Sequence, residues 1–228
     1  MRLLDKYDLF IFDWDNTLAS PSALMNLTRY TKPRYWSISR ARKRAVAEQG
    51  KGMGRLELES LEEEHRLLSF VYDLYLKLQK PRLKPKAAEV LEYLKLNGKK
   101  VAIFSDGRSG RLMKEIHLFG LSKYLDFAAG ANAFRRYKPD PTGLVYIADK
   151  FRTSKKRSVY VCDMTIDVIT ARLAGMDSCA ISDGLSSAEA LERERPTYLF
   201  ADLAEFLHAL SGKRRQPRSR IYEAYQKQ

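Results

Sequence analysis

The chain of 228 residues has only two cysteines, Cys162 and Cys179, too few for a disulfide framework, which points to free thiols and a cytoplasmic location. It also lacks a long hydrophobic run. The longest stretch free of Asp, Glu, Lys and Arg runs from Asn16 to Thr28, 13 residues interrupted by Pro21. A membrane-spanning helix needs about 18 apolar residues, so no membrane span or membrane partner is expected. Asp5 and Asp8 stand where a secretory leader would carry an apolar run, so no leader is expected. The three histidines, His65, His117 and His208, have no metal-ligand spacing. What the chain does have is apolar mass and positive charge. Hydrophobic residues make up 45%, enough for a buried core, and 41 basic against 28 acidic residues leave a formal charge of +13. Such a charge favours anionic partners without choosing among nucleic acid, phosphorylated metabolites and membrane surfaces.

Short apolar runs bounded by polar or turn residues predict buried strands at Tyr7–Phe12, Lys100–Phe104, Ser158–Cys162 and Ser178–Ile181, with a weaker one at Leu125–Ala129. Helical spacing connects Ala87, Val90, Leu91 and Leu94 ahead of a stop at Asn97-Gly98. Val168, Ile169 and Leu173 repeat the pattern ahead of Gly175. Strands alternating with helices predict an α/β fold, a Rossmann-like parallel sheet flanked by helices. Residues 18–83 break the rhythm with helical patterns only, so they read as a small all-helical cap inserted into a core of residues 1–17 and 84–211. Residues 212–228 read as a basic, flexible tail.

Three of the strands run into reactive polar groups: Asp13-Trp14-Asp15-Asn16-Thr17, Ser105-Asp106-Gly107, and Asp163 through Asp167. In an open parallel sheet the crevice beyond the carboxyl ends of the strands is where ligands bind. Asp13, Asp15, Asp163 and Asp167 gathered there would repel one another unless a cation were present. A hard divalent ion resolves the conflict, and magnesium takes carboxylates together with substrate phosphate oxygens. Any one of these aspartates could be a helix cap or turn residue, but a cap role does not explain all of them at matching strand ends.

Together these motifs resemble the haloacid dehalogenase superfamily, in its phosphoglycolate phosphatase-like branch with a helical cap. Phe12-Asp13-Trp14-Asp15-Asn16-Thr17-Leu18 is similar to its first motif and Phe104-Ser105-Asp106-Gly107 to its second. Tyr137-Lys138-Pro139-Asp140-Pro141 is similar to the third, and Val161-Cys162-Asp163 through Asp167 to the fourth. The resemblance implies that Asp13 is the nucleophile and Asp15 the general acid/base. It implies magnesium held by Asp13, the Asp15 carbonyl and Asp163, with Asp167 supporting the metal or orienting Lys138. Ser105, with the amides of Asp106 and Gly107, would bind phosphoryl oxygens, Lys138 would neutralise phosphate and nucleophile, and Thr17 would fix the loop or Asp15. Members that cleave carbon–halogen bonds lack an acid at the position of Asp15, since halide leaves without a proton. The chain departs from the family at Asn16, where glycine is commoner but Asn tolerates left-handed angles, and at Cys162, which reads as a small buried residue. Arg108 follows the second motif and reads as a solvated helix start that could touch substrate.

No acidic residue occurs from Asn16 to Ala47, whereas Arg29, Lys32, Arg34, Arg40, Arg42, Lys43 and Arg44 are basic, so the front of the cap reads as a lid for an anionic substrate. The expected activity is hydrolysis of a small phosphorylated metabolite, phosphoglycolate-like or a sugar phosphate. Two alternatives stand beside it. One is a phosphomutase using the same chemistry. The other is a nucleic-acid-binding or scaffold protein on an inactive hydrolase fold, motivated by the net charge but opposed by the intact set of repelling carboxylates.

Overall fold

A computed structural model describes residues 2–21, 81–134 and 136–212. The readings of the cap interior, including its basic front and His65, and of the tail beyond Gly212 lie outside the described residues.

The elements follow the alternation expected from the sequence. A one-turn helix α1 (Leu3–Lys6) leads into β1 (Leu9–Phe12). Two short strands, β2 (Ala19–Ser20) and β3 (Arg82–Leu83), flank the interval that is not described. The chain continues through α2 (Ala87–Leu96), β4 (Lys100–Ser105), α3 (Ser109–Leu118), β5 (Phe127–Gly130) and α4 (Thr142–Lys150). It ends with β6 (Ser158–Cys162), α5 (Thr165–Ala174), β7 (Asp177–Ile181), α6 (Ala188–Arg193), β8 (Tyr198–Phe200) and α7 (Leu203–Ser211).

Six strands form one sheet in the order β5-β4-β1-β6-β7-β8, every pairing parallel. The chain builds outward from β1 through β4 and β5, then returns to lay β6 on the other side of β1. That reversal makes β1 and its two neighbours the topological switch point.

Both faces of the sheet are covered, which is why its strands read as unbroken apolar runs. Phe10, Phe12, Val101, Ile103, Val159 and Val161 point to one face and pack under α2, α3 and α7 with Leu91, Leu94, Ile116 and Phe206. Leu9, Ile11, Ala102, Tyr160, Cys162 and Ala180 point to the other, under α4, α5 and α6 with Leu144, Ile147, Val168 and Leu191. The alternation is that of a pleated strand. Both cysteines are buried as free thiols, and burial holds each thiol well above its ordinary pKa.

Three expectations are corrected. The interval 18–83 is not helical throughout: its ends are the strands β2 and β3, paired antiparallel with Ala19 opposite Leu83 and Ser20 opposite Arg82. Leu173 is exposed; α5 packs through Ile166, Val168, Ala171 and Ala174, because small alanines let the helix lie close to the sheet. Strand β8 was not foreseen, since Tyr198–Phe200 is only three residues long and half-buried at the sheet edge.

Candidate active site

At the carboxyl end of β1 the chain turns sharply. Leu18 and Ala19 both donate from their backbone N–H to the Trp14 carbonyl, at 3.0 Å each, and the Asn16 N–H donates to the Ala19 carbonyl at 2.7 Å. Closing this turn puts Asn16 at φ 64°, the left-handed region that its side chain tolerates. Trp14 is fully buried, with its indole N–H donating to the Glu115 carboxylate, so the turn is nailed to α3. Asp13 is anchored to the neighbouring strand as well, its N–H donating to the Val161 carbonyl at 2.9 Å.

Asp13, Asp163 and Asp167 converge as expected. One carboxylate oxygen of each lies within 4.8 Å of the others, and all three side chains are buried. The Lys138 ammonium lies 2.6 Å from Asp13 Oδ1 and 2.7 Å from Asp167 Oδ1, beneath the rings of Phe104 and Tyr160. Its backbone N–H donates to Asp106 Oδ1 at 3.1 Å, tying the Lys138 loop to the end of β4. Burial pushes the Asp13 carboxyl up to about 7; Lys138 opposes this, and the charge of Asp167 adds to it. Asp163 is pushed up to about 7 by burial and by the charge of Asp13. Asp167 rises to about 6, again chiefly by burial, with Lys138 opposing. Lys138 is held above its ordinary range because Asp13, Asp167 and Asp106 outweigh its burial.

The surroundings hold these acids in place. Asp163 Oδ1 accepts from the Thr17 hydroxyl and Oδ2 from the Leu185 N–H, both at 2.8 Å. Thr17 therefore braces Asp163 rather than Asp15: the turn after Asn16 carries its hydroxyl toward β6. Gly184 leaves no room for a side chain, since a Cβ there would lie 2.2 Å from the Asp163 Cβ. The neighbouring Asp183 is tied to the buried Lys84 ammonium at 2.8 Å. Asp167, the third residue of α5, accepts from the Met164 N–H at 3.3 Å. It thus caps its own helix through Oδ2 while Oδ1 faces Lys138.

Three carboxylates and one ammonium leave two formal negative charges in a buried pocket whose candidate ligand atoms are all oxygens. That donor set fits a hard divalent cation.

Ser105 is buried at the end of β4, and its hydroxyl accepts from the Gly107 N–H at 3.0 Å. Asp15 stands apart from the carboxylate trio. Its Oδ2 lies 2.5 Å from Nη2 of Arg111, whose Nε is 3.8 Å from Glu115 Oε1. The sequence reading singled out Arg108 and missed Arg111. The available signal was the Arg111/Glu115 pair four residues apart, with its acid set between the core residues Leu112 and Ile116.

Comparison with known proteins agrees with this architecture. Residues 10–181 match the family model described as haloacid dehalogenase-like hydrolase. The chain is 28% identical over 131 residues to a Caldanaerobacter subterraneus protein named "Putative pyrophosphatase PpaX", covering 58% of this chain and 60% of that protein. It is 26% identical over 173 residues to a phosphoglycolate phosphatase of Haemophilus influenzae, covering 76% and 75% of the two chains. Among solved structures, one described as a "predicted phosphoglycolate phosphatase" from Haemophilus somnus superposes with a TM-score of 0.67 at 22% identity, over 88% of this chain and 96% of that one. The chain belongs to the haloacid dehalogenase-like hydrolases. Within them it resembles the phosphoglycolate phosphatases. The alignment to the first relative spans about three fifths of that protein's length.

Proposed function

We propose that this chain is a magnesium-dependent phosphomonoester hydrolase that works through an aspartyl-phosphate on Asp13, with residues 18–83 as its cap over a core of 1–17 and 84–211. The observation that carries the reading is the convergence of Asp13, Asp163, Asp167 and Lys138 at the switch point of the sheet. The Asp13 carboxylate attacks phosphorus in line; a P–O bond to Asp13 forms and the bond to the leaving oxygen breaks. Asp15 gives its proton to that leaving oxygen, then takes one from the water that hydrolyses the acyl phosphate and restores Asp13. Ser105 and the amides of Asp106 and Gly107 hold phosphoryl oxygens, while Lys138 neutralises charge building between phosphate and nucleophile. Asp13, the Asp15 carbonyl and Asp163 would hold magnesium, with Asp167 in support; bound there, the ion supplies the charge that lets an anionic nucleophile meet an anionic phosphate. The substrate class supported best is a small phosphorylated metabolite, phosphoglycolate or a sugar phosphate. The test is hydrolysis of p-nitrophenyl phosphate by purified protein. Turnover should require magnesium, stop with chelator and vanish in Asp13→Asn. Equal turnover without a divalent ion would overturn the reading.

A further inference from the structure

Asp163 is braced from two sides. On one side the Thr17 hydroxyl donates to Oδ1 from the turn after β1. On the other, the loop after β7 wraps around it. The Leu185 N–H donates to Oδ2 at 2.8 Å and the Ser186 N–H to the Asp163 carbonyl at 3.3 Å. The Ser186 hydroxyl in turn accepts from the Thr165 N–H at the start of α5. This loop has no slack, because a Cβ on Gly184 would fall 2.2 Å from the Asp163 Cβ and 2.5 Å from its Oδ2.

Both braces meet at one residue. Lys84 directly follows β3, and its backbone N–H donates at 2.9 Å to the carbonyl of Leu18, the residue after Thr17. Its ammonium lies 2.8 Å from Asp183 Oδ1 and 2.9 Å from the Asp183 carbonyl, two residues before Leu185. Holding the carbonyl as well as the carboxylate fixes the peptide that leads into Gly184, which a carboxylate contact alone would leave able to rotate. Charge-assisted hydrogen bonds of this kind are strong and directional, and the Lys84 side chain that makes them is only 8% exposed. We infer that Lys84 is a positioning residue: it locks the Thr17 turn to the 183–186 loop and so sets how the Asp163 carboxylate faces the cation pocket. The inference rests on the reading of Asp163 as a magnesium ligand, and it places control of that ligand on the first residue after the β2–β3 pair.

The sign of the effect separates positioning from charge. Lys84→Met keeps the apolar stem but removes a positive charge beside the loop that wraps Asp163, which by charge alone would tighten binding of a divalent cation. Loss of positioning weakens it. Magnesium binding is measured by calorimetric titration of the purified full chain without substrate, and the magnesium concentration for half-maximal hydrolysis of p-nitrophenyl phosphate is measured beside it. Lys84→Met should raise both the dissociation constant and the half-maximal concentration about 5–10-fold, and Lys84→Arg, which keeps a charged donor, should stay within about threefold of the wild type. Lys86→Met removes the same charge from an exposed lysine two residues on, paired with Glu89, and should leave both values unchanged. Asp183→Asn and Asp183→Ala lose the same charge, but only the first keeps an acceptor for the ammonium, so Asp183→Ala should bind magnesium about threefold more weakly than Asp183→Asn. Should Lys84→Met fail to fold, that difference carries the test, and its absence would overturn the inference. In a folded Lys84→Met, unchanged or tighter magnesium binding would overturn it and leave Lys84 a fastener of the fold, as would an equal weakening in Lys86→Met. A folded wild type that neither binds magnesium nor hydrolyses p-nitrophenyl phosphate would instead overturn the phosphatase reading itself.

Discussion

The two ends of the central sheet treat the same side chain in opposite ways. At the amino end, Asp177 opens β7 surrounded by partners. The Lys6 ammonium is 2.8 Å from its Oδ2, the Tyr7 hydroxyl donates to the same oxygen at 2.5 Å, and the Thr197 hydroxyl reaches Oδ1 at 3.3 Å. Burial pushes this carboxyl up, but those donors outweigh it and leave it below its ordinary value. At the carboxyl end, Asp13, Asp163 and Asp167 are packed against one another, and burial carries all three above the carboxylate range. An acid whose role is to hold the fold is fully satisfied in the free protein. Buried acids crowded against one another and raised together are the pattern expected of a reactive site.

The contrast is broken most visibly at Asp13. Asp13→Asn should lower kcat by on the order of 10^4-fold or more, while raising the melting temperature of the metal-free protein, because one repelling carboxylate is gone. Activity assays and unfolding in chelator measure the two effects; a variant that is both inactive and destabilised would contradict the contrast. Thr17→Val removes a hydroxyl that orients Asp163, and should raise the magnesium concentration for half-maximal activity about 10-fold. Asp177→Asn should do the reverse of the change at Asp13: full specific activity with a stability loss of about 1–2 kcal/mol in urea unfolding.

The pH response sharpens the comparison further. With its folded pKa depressed, Asp177 contributes stability that is complete above its unfolded value of about 4 and is lost as pH falls through the folded value. The cluster has the opposite sign. Between about pH 4 and 7 the folded state holds more protons at Asp13, Asp163 and Asp167 than the unfolded chain does, so the metal-free protein should lose stability as pH rises through that window. Melting curves in chelator from pH 5 to 8 should decline, and the added stability from magnesium should widen with pH.

What the sequence disclosed, and what it did not, follows from the range of each interaction. Strands β1, β4, β6 and β7 were legible because burial on both faces leaves an uninterrupted apolar run. Asp13, Ser105 and Asp163 were legible because they directly follow those runs, whereas Lys138 lies away from any of them and was found only through the resemblance to the family. Ser158–Cys162 was placed to the residue. Phe127–Gly130 was shifted by two residues at its start, since Leu125 and Asp126 precede the ladder and only resemble it in composition. The pairing of Arg111 with Asp15 was not legible, since Asp15 lies 96 residues earlier and Trp14, which braces Glu115, lies 101 residues from it. Thr17 was read as fixing the loop or Asp15, whereas its hydroxyl donates to Asp163, 146 residues on, because spacing along the chain does not reveal which way a hydroxyl points across a turn.

The pairing of Ala19 with Leu83 and Ser20 with Arg82 has a practical consequence. The two points where the chain leaves and rejoins the core stand side by side as in a hairpin, so the 61 residues from 21 to 81 hang from a closed stem. Excising them and splicing Ser20 to Arg82 through a short Asn-Gly turn would leave every strand of the six-stranded sheet untouched. The resulting minimal protein would keep the acids and Lys138, and its turnover of different substrates would show what the excised residues contribute.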